Sequence, residues 1–249
     1  MAVVITYNNR LIDMNNATYI APSTTTLNTG LVAVYKAESN ANDSLVTYNG
    51  TAQGGLTYTA GKSGNAFTGN GTNAYVSLPD NSLNFTGDFS ISIWINLQGV
   101  NADAQMLLSN IQINSNATAF WGWELYVQSG TLYIYFFDGT GSYDSFTTPL
   151  SPYYYSFAMY TVTISGNTVK LYLNGVLINT FTKTKTVTYT TTHYPSIGVR
   201  RSNYTSAPIQ YYISNGTKID EVNIWSKVLT ATEVTELYNS GSGKFYPFS

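Results

Sequence analysis

The chain of 249 residues contains no cysteine. That excludes disulfide staples, thiolate metal sites and cysteine nucleophiles. Histidine occurs once, at His193, so no histidine cluster can ligate a transition metal. A Ser-His-Asp arrangement would rest on that one residue, and no nucleophile-elbow glycine pattern accompanies it. Charge is scarce: Asp, Glu, Lys and Arg make up 10% of the chain, and the formal net charge is −2. The basic excess of a nucleic-acid binder is missing. No apolar run approaches membrane-spanning length. Neither nucleic acid nor membrane is expected as a partner. The start, Met1-Ala-Val-Val-Ile5, lacks the basic segment and long apolar run of a signal peptide. Another route to the exterior is expected, such as release by lysis within a phage particle.

Aromatic residues are plentiful, at 15% with 22 tyrosines. The rest of the polar surface is Asn, Thr and Ser. The clearest strand runs from Phe89 to Leu97. Phe89, Ile91, Ile93, Ile95 and Leu97 share one face, and Ser90, Ser92, Trp94 and Asn96 share the other. A row of five large apolar side chains is what a two-sheet sandwich needs. Phe157–Ile164 reads as a long strand, and Asn174-Gly175 marks a hairpin. Roughly a dozen strands follow one another without an internal repeat. The fold expected is all-β, a two-sheet antiparallel jellyroll sandwich with one short C-terminal helix. Residues 1–28 read differently. Val3–Tyr7 forms one short strand, and a polar arm follows it. The arm is either a leader packed on the domain edge or an anchoring segment that orders on a larger assembly. Residues 29–249 form the domain.

The helix belongs to the closing stretch, Gly216-Thr-Lys-Ile-Asp-Glu-Val-Asn-Ile-Trp225 and the residues after it. Thr230 and Glu233 stand at capping-box spacing, and Leu229 and Val234 at staple spacing. Val234, Leu237 and Tyr238 line one helical face, and Gly241 is expected as the left-handed stop. This stretch resembles the closing motif of laminin-G-like jellyrolls in the concanavalin A-like lectin/glucanase superfamily. Gly64–Pro79, Phe89–Ile95 and Val169–Gly175 resemble further pieces of that family, so the likeness spans about residues 29–246. The resemblance implies a jellyroll that binds sugars, with calcium in many members.

Glycoside hydrolysis needs two carboxylates facing each other across a sugar. Glucanases of this fold carry Glu-x-Asp-x-x-Glu on one strand, and no such run exists here. Glu124 is the one glutamate inside a mid-chain strand, and it reads as a structural hydrogen-bonder. His193 lies in a Thr-rich run and reads as an exposed edge residue. The chain is therefore expected to be no enzyme. Calcium takes carboxylate and carbonyl oxygens. The resemblance carries a structural ligand onto Asp220, which otherwise reads as an Asp bonded to backbone amides. Asp138 and Asp144 share one loop and are rim candidates, with Asx turns as the alternative. Sugar binding needs aromatic faces beside polar groups. The candidates are Trp121, Trp123, Tyr153, Tyr154, Tyr204 and Tyr211. The family's Trp-His pair before the long strand is replaced by Tyr153-Tyr-Tyr-Ser-Phe157.

The function expected is a surface-exposed virion structural or decoration protein, part of a capsid, fibre or tail. Its arm contacts other virion proteins, its lectin-like domain takes host or mucosal glycans, and homo-oligomers are an option. The alternatives are a secreted or cell-surface bacterial carbohydrate-binding module and a degenerate glycoside hydrolase.

Overall fold

The computed structural model describes residues 25–114, 116–150, 154–201 and 211–249, with backbone alone for 209–210 and for three strands inside 4–20. Those strands, β1 (Val4–Tyr7), β2 (Arg10–Asp13) and β3 (Thr18–Ile20), pair antiparallel in sequence order. The single strand expected near Val3–Tyr7 is thus one of three. Leu11-Ile12 and Tyr19-Ile20 supply the β-prone residues that polar neighbours obscure.

The domain opens with β4 (Leu31–Tyr35), β5 (Thr51–Gln53), β6 (Thr57–Ala60), β7 (Asn65–Thr68) and β8 (Tyr75–Ser77). The long strands are β9 (Phe89–Asn96), β10 (Gln105–Ile113), β11 (Phe120–Gln128), β12 (Thr131–Asp138) and β13 (Tyr143–Pro149). Then come β14 (Phe157–Ser165), β15 (Thr168–Leu173) and β16 (Val176–Thr182). Short β17 (Ser196–Ile197), β18 (Arg200–Arg201) and β19 (Ile209–Gln210) precede β20 (Lys218–Trp225) and α1 (Ala231–Tyr238). A seven-stranded sheet has the order β13-β12-β11-β10-β17-β8-β5. An eight-stranded sheet has the order β16-β15-β14-β9-β20-β7-β6, with β4 also on β20. The pairs within both are antiparallel, and the result is the expected jellyroll sandwich.

Between the sheets lies one large core. Phe89, Ile91, Ile93, Ile95 and Leu97 all enter it, as their alternation required. Trp123, Leu125 and Val127 meet them from β11, and Leu132, Ile134 and Phe136 from β12.

The outer face of the eight-stranded sheet is sealed by the chain's own ends. Trp94, Met159, Tyr172 and Trp225 project from it, and Leu27, Leu229, Val234, Leu237 and Phe248 cover them. The Trp225 indole N–H donates to the Leu27 carbonyl at 2.7 Å. Buried Ser90 on the same face accepts from the Leu229 amide and donates to the Lys227 carbonyl. The helix that carries this cover begins with the capping box expected at Thr230 and Glu233. Glu233 also pairs with Lys227 and accepts from Thr26. Its burial favours the neutral acid. The hydrogen bonds from Lys227, Thr26 and Thr230 outweigh burial and hold its pKa at about 2. The left-handed stop comes earlier than expected, at Asn239 with φ 47°. Asparagine tolerates that conformation, so the helix ends before Gly241 is reached.

His193 is fully buried, against the expectation of an exposed edge. The Thr-rich run before it forms no edge strand. Val187 and Tyr189 pack on the core, and the Tyr189 hydroxyl donates to the Phe85 carbonyl. His193 is carried in behind them, and its Nε2 accepts from the Thr190 amide at 3.0 Å. Burial pushes its pKa down to about 4. Between pH 6.5 and about 4 the unfolded chain takes up the proton first, so stability falls as pH falls through that window. Chemical denaturation from pH 7.5 to 4.5 should show a steeper loss for the wild type than for His193→Gln, whose carbonyl can still accept from Thr190.

Candidate functional site

Alternation along β11 and β12 sends Phe120, Gly122, Glu124 and Tyr126, and Tyr133, Tyr135 and Phe137, away from the core. Phe120, Tyr126, Tyr133, Tyr135 and Phe137 form two apolar clusters separate from it, with Met106, Ile111 and Ile113 of β10. Tyr126 and Tyr133 are direct cross-strand partners, stacked at 4.7 Å with 4° between their planes. Tyr135 stacks on Tyr143 of β13 at 5.1 Å and meets Tyr126 edge-on at 5.4 Å. Phe137 stacks on Phe120 at 5.3 Å. Each such pair adds about 0.5–1.5 kcal/mol beyond area burial. Tyr126 and Phe137 are buried in these contacts, and Tyr133 and Tyr135 are half-buried. Tyr143 is 51% exposed.

A buried ion pair anchors the middle of this row. Arg200 Nε donates to Glu124 Oε2 at 2.8 Å, and Nη2 donates to Oε1. Burial drives the Glu124 carboxyl toward its neutral form, and the Arg200 charge and its hydrogen bonds oppose this. The guanidinium lies 4.5 Å from the Tyr211 ring centre, which joins Tyr211 to the row. Glu124 is thus the hydrogen-bonder expected. Both its oxygens are occupied, which leaves none free to activate a water.

The aromatic candidates scatter. Tyr211, 39% exposed, lies on the row. Trp123 must be withdrawn: it is 2% exposed, packs at a tilt against Phe89 in the core and donates to the Leu83 carbonyl. Its polar neighbours Gly122 and Glu124 belong to the opposite face. Trp121 is half-buried and pairs with Asp138 at one end of the β11–β12 hairpin. Tyr154 is half-buried near Gly130 at the other end. Strand length sets those ends roughly 25 Å apart, so the structure does not bring Trp121 and Tyr154 together. Tyr153 and Tyr204 lie outside the described residues. Tyr126, Tyr133, Tyr135, Phe137 and Tyr143 were not among the candidates. The signal for them was the run Leu132-Tyr-Ile-Tyr-Phe-Phe137, apolar on both faces when one core can satisfy only one.

The carboxylate candidates differ in what holds them. Asp138 accepts from the Thr140 amide and hydroxyl and faces Lys185 at 3.7 Å. Asp144 accepts from the amides of Thr184 and Lys185 and from the Thr184 hydroxyl. Both contact the 184–185 segment. Asp220 is buried and accepts from the amides of Lys62, Ser63 and Glu221. The next residue, Glu221, has φ 47°. It sits in a bulge where pairing with β9 jumps from Asp220–Trp94 to Asn223–Ser92. Glu221 is fully buried, and neither carboxylate oxygen has a hydrogen-bond partner. Burial, aided by the Asp220 charge, raises its pKa to about 8. An orphaned buried carboxylate beside a second one is a donor set that fits a hard cation. Among the described residues no three His, Cys, Asp or Glu side chains form a ligand group, so carbonyls and water would supply the rest.

A family model described as the concanavalin A-like lectin/glucanases superfamily matches residues 70–235, more than half of the sequence. The chain belongs to this family. No curated protein matches it. Among solved structures, the binding domain of Paraclostridial Mosquitocidal Protein 1 aligns at 20% identity and TM-score 0.68, over 87% of this chain and 53% of that one. The binding domain of Botulinum Neurotoxin DC, in complex with SialylT, aligns at 18% identity and TM-score 0.67, over 86% and 52%. The same toxin domain in complex with rat synaptotagmin II gives 18% and 0.65, over 86% and 52%. The chain spans about half the length of these structures, and at such identity the likeness is one of fold.

Arg200→Met is expected to cost about 3–5 kcal/mol of folding stability, because it leaves a buried carboxylate unpaired. The double change Arg200→Met with Glu124→Leu should recover most of that loss in urea denaturation. Equal losses for the single and double variants would contradict the reading.

Proposed function

We propose that this chain is a non-catalytic surface-binding protein whose aromatic face on β11–β13 takes neutral glycans. The observation that carries this is the contrast between the two sheets. One outer face is sealed by the C-terminal segment, and on the other Tyr143 and Tyr211 are exposed and Tyr133 and Tyr135 half-buried around the Arg200–Glu124 pair. The exposed sides of Tyr143 and Tyr211 suit the apolar face of a pyranose, and the hydroxyls of Tyr133 and Tyr135 suit its OH groups. The similar structures solved with SialylT and with synaptotagmin II support ligand binding by this type of fold. Catalysis is disfavoured because Glu124 is the one carboxylate central to β10–β12 and Arg200 occupies it.

A glycan array tests the reading. Tyr133→Ala, Tyr143→Ala and Tyr211→Ala should each weaken binding to the best glycan by about tenfold, with melting temperature lowered only by the few degrees that one lost ring contact of about 0.5–1.5 kcal/mol costs. Undiminished binding by all three would contradict the site. Reducing sugar released by the wild type and lost in Glu124→Gln would contradict the non-catalytic role.

The setting we propose is the surface of a virion, as capsid decoration, fibre or tail, with residues 1–28 joining other virion proteins. The neutral, Asn-, Thr- and Tyr-rich composition supports it. Mass spectrometry of purified particles from the source tests it. A secreted or bacterial-surface carbohydrate-binding module is the reading that survives if the chain is absent there.

Calcium at the β20 bulge is a second proposal, with Asp220 and Glu221 as its carboxylate ligands. The ion would supply positive charge to an orphaned buried acid and tie β20 to the Lys62–Ser63 turn. Saturating calcium should raise the melting temperature by about 5–10 °C over a chelated sample, and Glu221→Gln should remove the shift. Identical melts with calcium and with chelator would contradict it.

A further inference from the structure

A cleft of about 220 Å³ lies where the start of β9, the turn between β14 and β15 and the segment after β16 converge. Phe85 and Phe89, stacked at 4.8 Å, belong to its apolar wall. Asn167 and Thr186 line it with polar groups. At Gly87 the lining is bare backbone, and a Cβ there would meet nothing within 4 Å.

Lys183 lines the same cleft and is the one buried lysine among the described residues, at 9% exposure. Lys185, Lys227, Lys244 and the buried Arg200 each face a carboxylate. Lys183 has no such partner among the described residues. Its Nζ donates to the Lys185 carbonyl at 3.2 Å, which occupies one of three donors and cancels no charge. Asp88, the other charge on the cleft, is exposed and already held: it accepts from the Gly166 amide at 2.8 Å and from the Ser165 hydroxyl. An ammonium taken out of water without a counter-ion is costly, and an anion entering the cleft would supply what is missing.

The rest of the lining narrows the choice of anion. The volume equals roughly seven waters at about 30 Å³ each, enough for one hexose-sized ring. An inorganic anion would leave the phenyl wall uncovered. A neutral sugar would leave the ammonium unpaired. An acidic peptide side chain would bring no hydroxyls to Asn167 and Thr186. We infer that the cleft binds a single sugar acid, with its carboxylate on Lys183, its ring against Phe85 and its hydroxyls toward Asn167 and Thr186. None of these residues belongs to the aromatic face on β11–β13, so this inference and the proposed glycan face fail separately.

Amide NMR of the full chain, titrated with glucuronate, glucose and acetate, tests this. Glucuronate should shift the amides of Gly87, Gly166 and Lys183 with a Kd of about 1 mM. Glucose and acetate should each act on them at least about tenfold more weakly. Lys183→Met, which keeps the aliphatic stem, should weaken glucuronate by about tenfold or more. Gly87→Leu should block the cleft while leaving Lys183 in place. The inference is overturned if glucuronate leaves these amides unmoved, if glucose or acetate matches it, or if both variants bind it like the wild type.

Discussion

Burial of Trp225 and its neighbours beneath the chain's own ends is the interaction on which the rest depends. β20 is the strand that β4, β7 and β9 all pair with. Its inward side, Ile219, Val222 and Ile224, belongs to the main core. Its outward side would leave Trp225, Asn223 and the polar row Ser90, Ser92 and Thr161 without cover. The segment from Ser226 to Phe248 lies over that side, and the Leu27 carbonyl satisfies the indole. A sheet face that has been covered from within has no further ligand to take. On the other sheet Arg200 and Tyr211 cover Glu124, and beside them the aromatic side chains pack on one another.

Scarce charge runs through the same logic. With so few ionisable side chains, those that are buried stand out. The Glu124–Arg200 pair neutralises itself in the middle of the aromatic row, which leaves a surface of ring edges and hydroxyls without net charge. That composition suits hydroxylated, neutral ligands better than acidic or basic ones.

Much of this architecture was legible in the residues. The Phe89–Leu97 alternation named its core face side chain by side chain, and Thr230 with Glu233 announced the helix start. The resemblance to laminin-G-like jellyrolls rested on the same closing stretch. The site was less legible, because exposure in a sandwich depends on which face a residue takes and on what later segments lie over it. Trp123 looked exposed beside Gly122 and Glu124, yet those neighbours point the opposite way. His193 looked exposed in a polar run, yet Val187 and Tyr189 draw that run inward. Tyr133 and Tyr135 were not among the candidates, because nothing local says that Leu132, Ile134 and Phe136 take the core side and leave them the other face. The bulge at Glu221 left no local mark, since its φ follows from pairing with β9.

The most direct test of a sealed face opposite a partly exposed one is hydroxyl-radical footprinting read residue by residue, with and without a bound oligosaccharide. The account predicts that Tyr143, Tyr133 and Tyr211 are labelled in the free protein and protected on binding, while Trp94, Tyr172 and Trp225 stay unlabelled throughout. Labelling of Trp94 and Trp225 at the rate of Tyr143, or ligand protection confined to the helix side, would contradict it.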